Sequence, residues 1–182
     1  MDHLRDHVRV GLVGGGPWAG RVHGPALAAH PQAVLAGVWT RRPEVAAEFA
    51  ERFATSAYAD FDALLDAVDA VAFAVPPQVQ AELAVRAAAA GKHLICEKPL
   101  AGTVEDARAV AGAVERAGVL TTVVLTMRHD PAVCDWLGTL PEEPADGNTV
   151  ATARWLSGAL LGGPYAVSPW RSTGGSWTSA PT

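Results

Sequence analysis

Short apolar runs alternate with helical patterns along most of the chain, and this alternation limits the possible folds more than any other feature. Clear apolar runs occur at residues 8–13, 33–40, 70–75, 93–96 and 119–126, and Ser56 to Tyr58 is a weaker candidate strand. Apolar strands separated by helices are typical of a parallel sheet that is covered on both faces. The six candidate strands predict a complete, doubly wound Rossmann domain of the α/β class over residues 1–126.

Proline and glycine mark the ends of the predicted helices. The helical pattern that begins near Trp18 ends by His30, because the following proline disfavours helix in the residue before it. Pro43 opens a second helix at a position where proline is tolerated. Thr103 is the predicted N-cap of a later helix, which Gly118 ends.

Residues 127–182 have a different character. A helix is predicted from Pro131, and Gly158 to Thr182 is rich in Gly, Pro, Ser and Trp without a clear period. About 55 residues are too few for an independent core. We therefore expect an incomplete α+β domain after the Rossmann domain.

Composition excludes several classes of protein. The chain is 49% apolar and 18% charged, with a net charge of -5 and no basic block that would indicate nucleic-acid binding. Its apolar stretches are too short to span a bilayer, and residues 1–7 lack the apolar core of a signal peptide. Two cysteines form no disulfide framework, which predicts a cytoplasmic protein. No metal site is expected, because His23, His30, His93 and His129 lack metal-ligand spacing.

A glycine loop follows the first strand, with the spacing Gly14-x-Gly16-x-x-Ala19. Gly14 would permit a tight turn, Gly16 would let the backbone approach a pyrophosphate, and Ala19 would let helix and strand pack closely. The loop, including Pro17, predicts dinucleotide binding, and a merely structural glycine turn is the alternative. Trp18 either packs over the phosphate end of the cofactor or staples the helix.

The end of the second strand usually selects between the two nicotinamide cofactors. Here it carries Thr40, Arg41 and Arg42, and no carboxylate occurs before Glu44. An acidic residue would hold the ribose hydroxyl of NAD, whereas arginine accommodates the 2′-phosphate of NADP. The sequence therefore favours NADP over NAD. The alternative is that an arginine only stacks on adenine or is solvated.

Lysine is rare in this chain, and Lys98 lies where a proton-transfer group is expected. Arginine outnumbers lysine twelve to two, and the lysines are Lys92 and Lys98. A site that needs a compact ammonium with a tunable pKa cannot use arginine instead. Lys98 follows a predicted buried strand, between a carboxylate and a proline, so it is the candidate catalytic residue. A solvated loop lysine is the alternative.

Three features together resemble the Gfo/Idh/MocA family, named after glucose–fructose oxidoreductase, inositol dehydrogenase and rhizopine catabolism. They are the glycine loop, Pro76-Pro77 after a strand, and Gly91-Lys92-His93 leading into Glu97-Lys98-Pro99. The resemblance covers most of residues 8–171. It implies a Rossmann domain followed by a domain with a large open sheet, often used for oligomerisation. Family members mostly oxidise or reduce sugars, inositols and related polyols with NAD or NADP.

The resemblance also implies roles for individual residues. Lys98 would contact the reacting hydroxyl or carbonyl and assist proton transfer, and Glu97 would line the nicotinamide pocket. Pro76 and Pro77 would border the cofactor, where the family often has Pro-Asn. Gln80, also counted among the cofactor-binding residues, stands where the family often has histidine, so that contact is altered here.

Trp170 and Arg171 resemble a segment that folds back toward the cofactor in some family members. Simple packing is the alternative role for Trp170. In the family, an Asp-x-Gly-x-His pattern that binds substrate follows this segment, but Thr178 to Thr182 contains neither Asp nor His. A family-like Gly-Ser-Trp-Asp-Val-Gly-Pro-His, read one nucleotide out of frame, gives the Gly-Ser-Trp-Thr-Ser-Ala-Pro-Thr of residues 175–182.

We therefore expect a truncated or frameshifted family member, and two functions stay open. One is an oxidoreductase that acts on a small sugar or polyol. The other is a catalytically inactive nucleotide-binding remnant. The resemblance also implies a homo-oligomer, which a shortened second domain would compromise. The Glu97-Lys98-Pro99 motif argues against a third function, that of a methyltransferase of the same fold class.

Overall fold

The computed structural model of the chain describes residues 7–140. The chain divides after Val124 into two units, and each is described by itself. None of the helices in the described part of the chain is long and apolar enough to cross a membrane.

The first unit is built on a parallel sheet of five strands. These are β1 (Val8–Val13), β2 (Ala33–Trp39), β3 (Ala70–Phe73), β4 (His93–Cys96) and β5 (Thr121–Val123). The strand order is β2-β1-β3-β4-β5, and all four strand pairs are parallel. Helices connect the strands: α1 (Gly24–Ala29), α2 (Pro43–Arg52), α3 (Phe61–Ala67), α4 (Pro77–Ala89) and α5 (Val104–Ala117). This is a Rossmann-like α/β fold, as the sequence predicted.

The sheet is covered on both faces, and its central strand β3 is apolar and buried at every position. In β3 the side chains of Val71 and Phe73 lie in one buried cluster, whereas Ala70 and Ala72 lie in another. Successive side chains of a strand point to opposite faces, so the two clusters lie on opposite sides of the sheet. The first cluster includes residues of α3, α4 and α5, and the second includes Ala46 of α2.

The predicted strand Ser56–Tyr58 is reduced to a single parallel bridge between Ala57 and Val38. The backbone N–H of Val38 donates to Ser56 O at 2.9 Å, and that of Tyr58 donates to Val38 O at 3.0 Å. The ladder stops there because Asp60 already caps α3, its carboxylate accepting from the Ala63 N–H at 2.7 Å. If this bridge is counted as the third strand along the chain, β3, β4 and β5 become strands 4, 5 and 6. The strand order is then 3-2-1-4-5-6, that of the dinucleotide-binding fold.

The helix predicted near Trp18 begins with a π-helix, Ala19–His23, before α1. Gly24 donates its N–H to Ala19 O, five residues back. The other predicted ends are confirmed: the Thr103 hydroxyl accepts from the Asp106 N–H at 3.1 Å, and Gly118 ends α5 with a φ of +64°.

In the second unit the structure describes residues up to Leu140. A 3₁₀ helix, Thr126–His129, precedes α6 (Pro131–Gly138). The Asp130 carboxylate caps α6 by accepting from the N–H groups of Ala132 and Val133 at 2.9 and 3.2 Å. The helix predicted from Pro131 is therefore confirmed.

Candidate functional site

Four loops that carry predicted site residues lie at the same edge of the sheet. Because all the strands are parallel, the loops that follow β1, β2, β3 and β4 leave from their common carboxyl ends. The connection from β1 runs to β2 on one side, and that from β3 runs to β4 on the other. Such a switch point between adjacent strands is where open α/β sheets bind their ligands.

The glycine loop at this edge combines one crowded position and one open position. Gly14 has a φ of +121°, and a Cβ there would clash with the carbonyl oxygen of Ala74. A Cβ on Gly16 would meet no atom within 4 Å. Ala19 is fully buried in the cluster against the sheet. The loop therefore has the tight turn, the accessible backbone and the close helix packing expected of a phosphate-binding loop.

The segment after β2 forms a tight local turn. The Thr40 hydroxyl donates to Arg42 O at 2.6 Å and accepts from the Arg42 N–H at 3.1 Å. Arg42 is also the N-cap residue of α2. The Thr40 hydroxyl thus holds the turn, while Arg41 and Arg42 are exposed to solvent.

The Glu97 side chain is buried at this edge, with only 8% of its surface exposed, and it makes three hydrogen bonds. Its Oε1 accepts from Trp18 Nε1 at 2.6 Å and lies 2.8 Å from His23 Nε2. Its Oε2 accepts from the Lys98 N–H at 3.3 Å. Burial raises the pKa of the Glu97 carboxyl. The bonds to His23 and Trp18, the charge of His23 and the Lys98 N–H outweigh burial, so the pKa lies below its ordinary 4.5.

The π-helix explains how Trp18 and His23 reach the same oxygen atom. In an α-helix, residues five apart are rotated by about 140° around the axis. In a π-helix, the i to i+5 hydrogen bond brings residues five apart to the same side. Sequence periodicity at 3.6 residues could not reveal this pair, and the sequence singles out His23 only as one of four histidines without metal-ligand spacing.

Gln80 is completely buried and bonds to the backbone of the lysine turn, residues 97–100. Its Oε1 accepts from the Glu97 N–H at 2.8 Å, and its Nε2 donates to Glu97 O at 2.8 Å and Leu100 O at 2.9 Å. A longer bond of 3.3 Å reaches Pro99 O. The sequence placed Gln80 among the cofactor-binding residues, and that role stays a prediction. In the structure both of its polar atoms bond to the backbone of residues 97–100.

The remaining predicted residues lie around the same edge. Lys98 is exposed, and its peptide bond to Pro99 is cis. Pro76 is half-buried and is the N-cap residue of α4, while Pro77 is buried in its first turn. Pro17 is exposed in the glycine loop. Trp170 and Arg171 lie outside the described residues, so their roles stay predictions.

Residues 8–125 match the sequence model of the Gfo/Idh/MocA oxidoreductase family, whose description is an NAD-binding Rossmann fold. The chain belongs to this family. The match spans the whole first unit from β1 onward and confirms the resemblance inferred from the motifs.

Relatives in the Gfo/Idh/MocA family include several sugar-active enzymes. The chain is 38% identical over 138 residues to levoglucosan dehydrogenase of Pseudarthrobacter phenanthrenivorans, covering 70% of this chain and 35% of that protein. It is 35% identical over 127 residues to UDP-N-acetylglucosamine 3-dehydrogenase of Acidithiobacillus ferrooxidans, covering 70% of this chain and 40% of that protein. The chain therefore spans well under half the length of these two relatives.

Solved structures give the same result. The chain superposes on KijD10, a 3-ketoreductase from Actinomadura kijaniata in complex with TDP-benzene and NADP, with a TM-score of 0.67 and 34% identity. That superposition covers 72% of this chain and 43% of KijD10. GenD2 from gentamicin A biosynthesis, in complex with NAD, gives a TM-score of 0.65 at 31% identity, covering 71% and 38% of the two chains.

Residues 7–140 contain no candidate metal centre. No group of three or more His, Cys, Asp and Glu side chains is placed there to hold a metal ion. In the same part of the chain, every buried side-chain nitrogen or oxygen has a hydrogen-bond partner. The polar groups around Glu97 therefore form a closed network within the protein.

Proposed function

We propose that the chain binds NADP or NAD and supplies the dinucleotide-binding part of a sugar or polyol oxidoreductase. In that reaction a hydride passes between the nicotinamide and a carbon that bears a hydroxyl or carbonyl group. One observation carries the proposal: an open glycine loop and a lysine turn lie at the same sheet edge, joined through Glu97. The relatives are named as sugar dehydrogenases and reductases, which supports the same class of reaction.

The residues present fit a dinucleotide. The open space at Gly16 lets phosphate oxygens approach the backbone without a side chain in the way. The carboxyl edge of β1 and β3 is the switch point at which this fold binds such cofactors. When bound, the nicotinamide supplies the hydride acceptor or donor.

Lys98 is the proposed proton-transfer group. Its ammonium is a compact point charge with three donors on a flexible stem. During oxidation of a hydroxyl, the neutral amine of Lys98 would take the hydroxyl proton, and during reduction the ammonium would return it. The exposure of Lys98 leaves its side chain accessible to a substrate.

Arg41 and Arg42 support a preference for NADP. Both are exposed beyond the end of β2, where the ribose of the adenosine half lies in this fold. The Thr40 hydroxyl is used in the local turn, so the two guanidinium groups are the better candidates to bind a 2′-phosphate.

Titration of the full chain with NADPH and NADH, followed by fluorescence, tests the cofactor proposal. We expect tighter binding of NADPH. The double variant Arg41→Ser/Arg42→Ser should weaken NADPH binding by about tenfold or more and leave NADH binding unchanged. Arg108→Ser is the matched control, because Arg108 is an exposed arginine of α5. If neither cofactor binds, the proposed function is rejected.

Amine labelling with peptide mass spectrometry tests the position of Lys98. The chain has two lysines, so Lys92 serves as an internal reference. Lys92 precedes β4, at the opposite edge of the sheet, where its Nζ donates to Val68 O at 3.0 Å. Bound NADPH should slow the labelling of Lys98 but not that of Lys92. Equal protection of both lysines would argue against a site at Lys98.

Assays of turnover on sugars and polyols distinguish an active enzyme from a nucleotide-binding remnant. If the chain is active, Lys98→Met should abolish turnover while NADPH still binds. Binding without turnover on any sugar or polyol tested would favour the remnant. The chain spans only 35% to 40% of the first two relatives above, so this comparison concerns the part of the enzyme present here.

A further inference from the structure

We infer that Trp18, His23 and Glu97 are positioning residues that fix the lysine turn to the π-helix Ala19–His23, which follows the glycine loop and which we call the glycine-loop helix. We call these three side chains the Glu97 latch. Through the Glu97 latch, cofactor binding at the glycine loop is coupled to the orientation of the Lys98 backbone. The cofactor part of this inference rests on the proposed function, whereas the latch itself is defined by contacts within the chain.

The latch joins two segments that are far apart in the sequence. Trp18 and His23 belong to the segment that follows β1, and they are 79 and 74 residues away from Glu97, which follows β4. One oxygen of the Glu97 carboxylate is hydrogen-bonded to both the Trp18 and His23 side chains, and the other accepts from the Lys98 N–H. A shift of the glycine-loop helix must therefore either move the lysine turn or break these bonds.

The charge state of Glu97 fixes which group donates in each of its hydrogen bonds. Its pKa is lowered, so the carboxyl is ionised at neutral pH and can only accept hydrogen bonds. His23 Nε2 must then carry a proton and donate it to Glu97 Oε1. Bonds from neutral or charged donors to a carboxylate are stronger than bonds between neutral groups.

Gln80 holds the lysine turn from the side of α4. Its amide pairs with both the N–H and the carbonyl of Glu97, and it also bonds to Leu100 O. The backbone on either side of Lys98 is thus bonded to α4, while its own N–H is bonded to the latch. The orientation of the Lys98 Cα therefore depends on the latch through a single buried carboxylate.

Hydrogen exchange of the Lys98 amide, measured by ¹⁵N NMR on the full chain, tests the latch directly. Trp18→Phe, which removes the indole N–H, and His23→Leu should each speed exchange at Lys98 by about tenfold, a factor typical of one lost charge-assisted bond. His23→Gln should restore slow exchange, because its amide N–H can replace that of the imidazole Nε2.

Two controls separate positioning from general loss of stability. The Lys92 amide, which donates to Ala87 O at 3.0 Å, should keep its exchange rate in all three variants. Thr55→Val removes a part-buried hydroxyl bond to Leu35 O elsewhere in the unit and should not change exchange at Lys98. The latch is refuted if Lys98 exchange is unchanged in Trp18→Phe and His23→Leu, or if Thr55→Val speeds it equally.

Addition of NADPH tests the coupling. In the wild-type chain NADPH should slow Lys98 exchange further, and Trp18→Phe and His23→Leu should each bind NADPH about tenfold more weakly, because coupling between two sites is reciprocal. If NADPH binds the variants as tightly as the wild type, the coupling is refuted. If the wild-type chain binds neither NADPH nor NADH, the proposed function fails, whereas the exchange rates without cofactor still decide whether the latch exists.

Discussion

Replacement of Gln80 by methionine should destabilise the chain strongly, although it changes no residue that contacts solvent. Methionine has a similar length but no strong donor or acceptor. The substitution leaves the N–H and carbonyl of Glu97 without the bonds of 2.8 Å that each makes to the Gln80 amide. It also removes the bond of 2.9 Å to Leu100 O.

The expected loss follows from the burial of these groups. Each buried polar group left without a partner costs about 1–3 kcal/mol. The two Glu97 bonds are buried, whereas water can reach the part-buried carbonyl of Leu100. Two such groups lower the expected free energy of unfolding by about 2–6 kcal/mol. That is a large share of the roughly 5–15 kcal/mol that stabilises a typical domain.

Urea denaturation followed by circular dichroism measures this loss. Gln78→Met is the matched control, because Gln78 is exposed in the same helix, and it should change stability by no more than about 0.5 kcal/mol. If Gln80→Met costs as little as Gln78→Met, the bonding role assigned to Gln80 is wrong.

Gln80→Glu sharpens the test through its pH dependence. A carboxylate at this position can still accept from the Glu97 N–H, but it would repel the carbonyl oxygens of Glu97 and Leu100. Only the protonated carboxyl can donate to one of them, so the pKa of the new side chain should be raised in the folded chain. A raised pKa means that the variant regains stability as the pH falls. Gln80→Met should show no such recovery relative to the wild type.

The other predictions concern the glycine loop, Glu97 and the cysteines. Gly14→Ala should lower the melting temperature sharply, because its φ is +121° and a Cβ would strike a carbonyl oxygen; Gly16→Ala should leave the melting temperature unchanged and weaken NADPH binding. The lowered pKa of Glu97 means that its stabilisation is present above pH 4.5 and is lost as the pH falls through the folded value. The stability difference between the wild type and Glu97→Gln, measured in urea, should therefore shrink below pH 4.5. Burial raises the pKa of Cys96 to about 11, only partly offset by a hydrogen bond, so a thiol reagent at pH 8 should modify exposed Cys134 quickly and Cys96 only on unfolding.

The fold was predictable because its strands are apolar on both faces. Alternate residues of β3 enter opposite clusters, and a strand of this kind needs helices on both sides. Ser56–Tyr58 shows the limit of that reasoning. Its residues favour a strand, but Asp60 starts α3 before a second pair of residues can join the ladder.

The candidate site was only partly predictable, since its buried polar side chains, Gln80, His23 and Glu97, act through contacts that leave no periodic signal. The glycine spacing and the scarcity of lysine pointed to Gly16 and Lys98. The Gln80 amide bonds to the backbone N–H and carbonyl of Glu97, which is 17 residues away in the sequence. His23 joins them only because a π-helical turn rotates it to the side of Trp18.

These buried contacts act on the backbone of Lys98 and leave its side chain free. Glu97 binds the Lys98 N–H and Gln80 binds the carbonyls around it, whereas the side chain of Lys98 is exposed. A lysine side chain has considerable rotational freedom, so fixing its Cα sets the region that the ammonium explores without immobilising it. With the role proposed for Lys98, positioning and proton transfer reside in different atoms. Lys98→Met should remove proton transfer while the latch and the Gln80 bonds persist, and changes at Gln80 or Trp18 should misplace a lysine whose chemistry is intact.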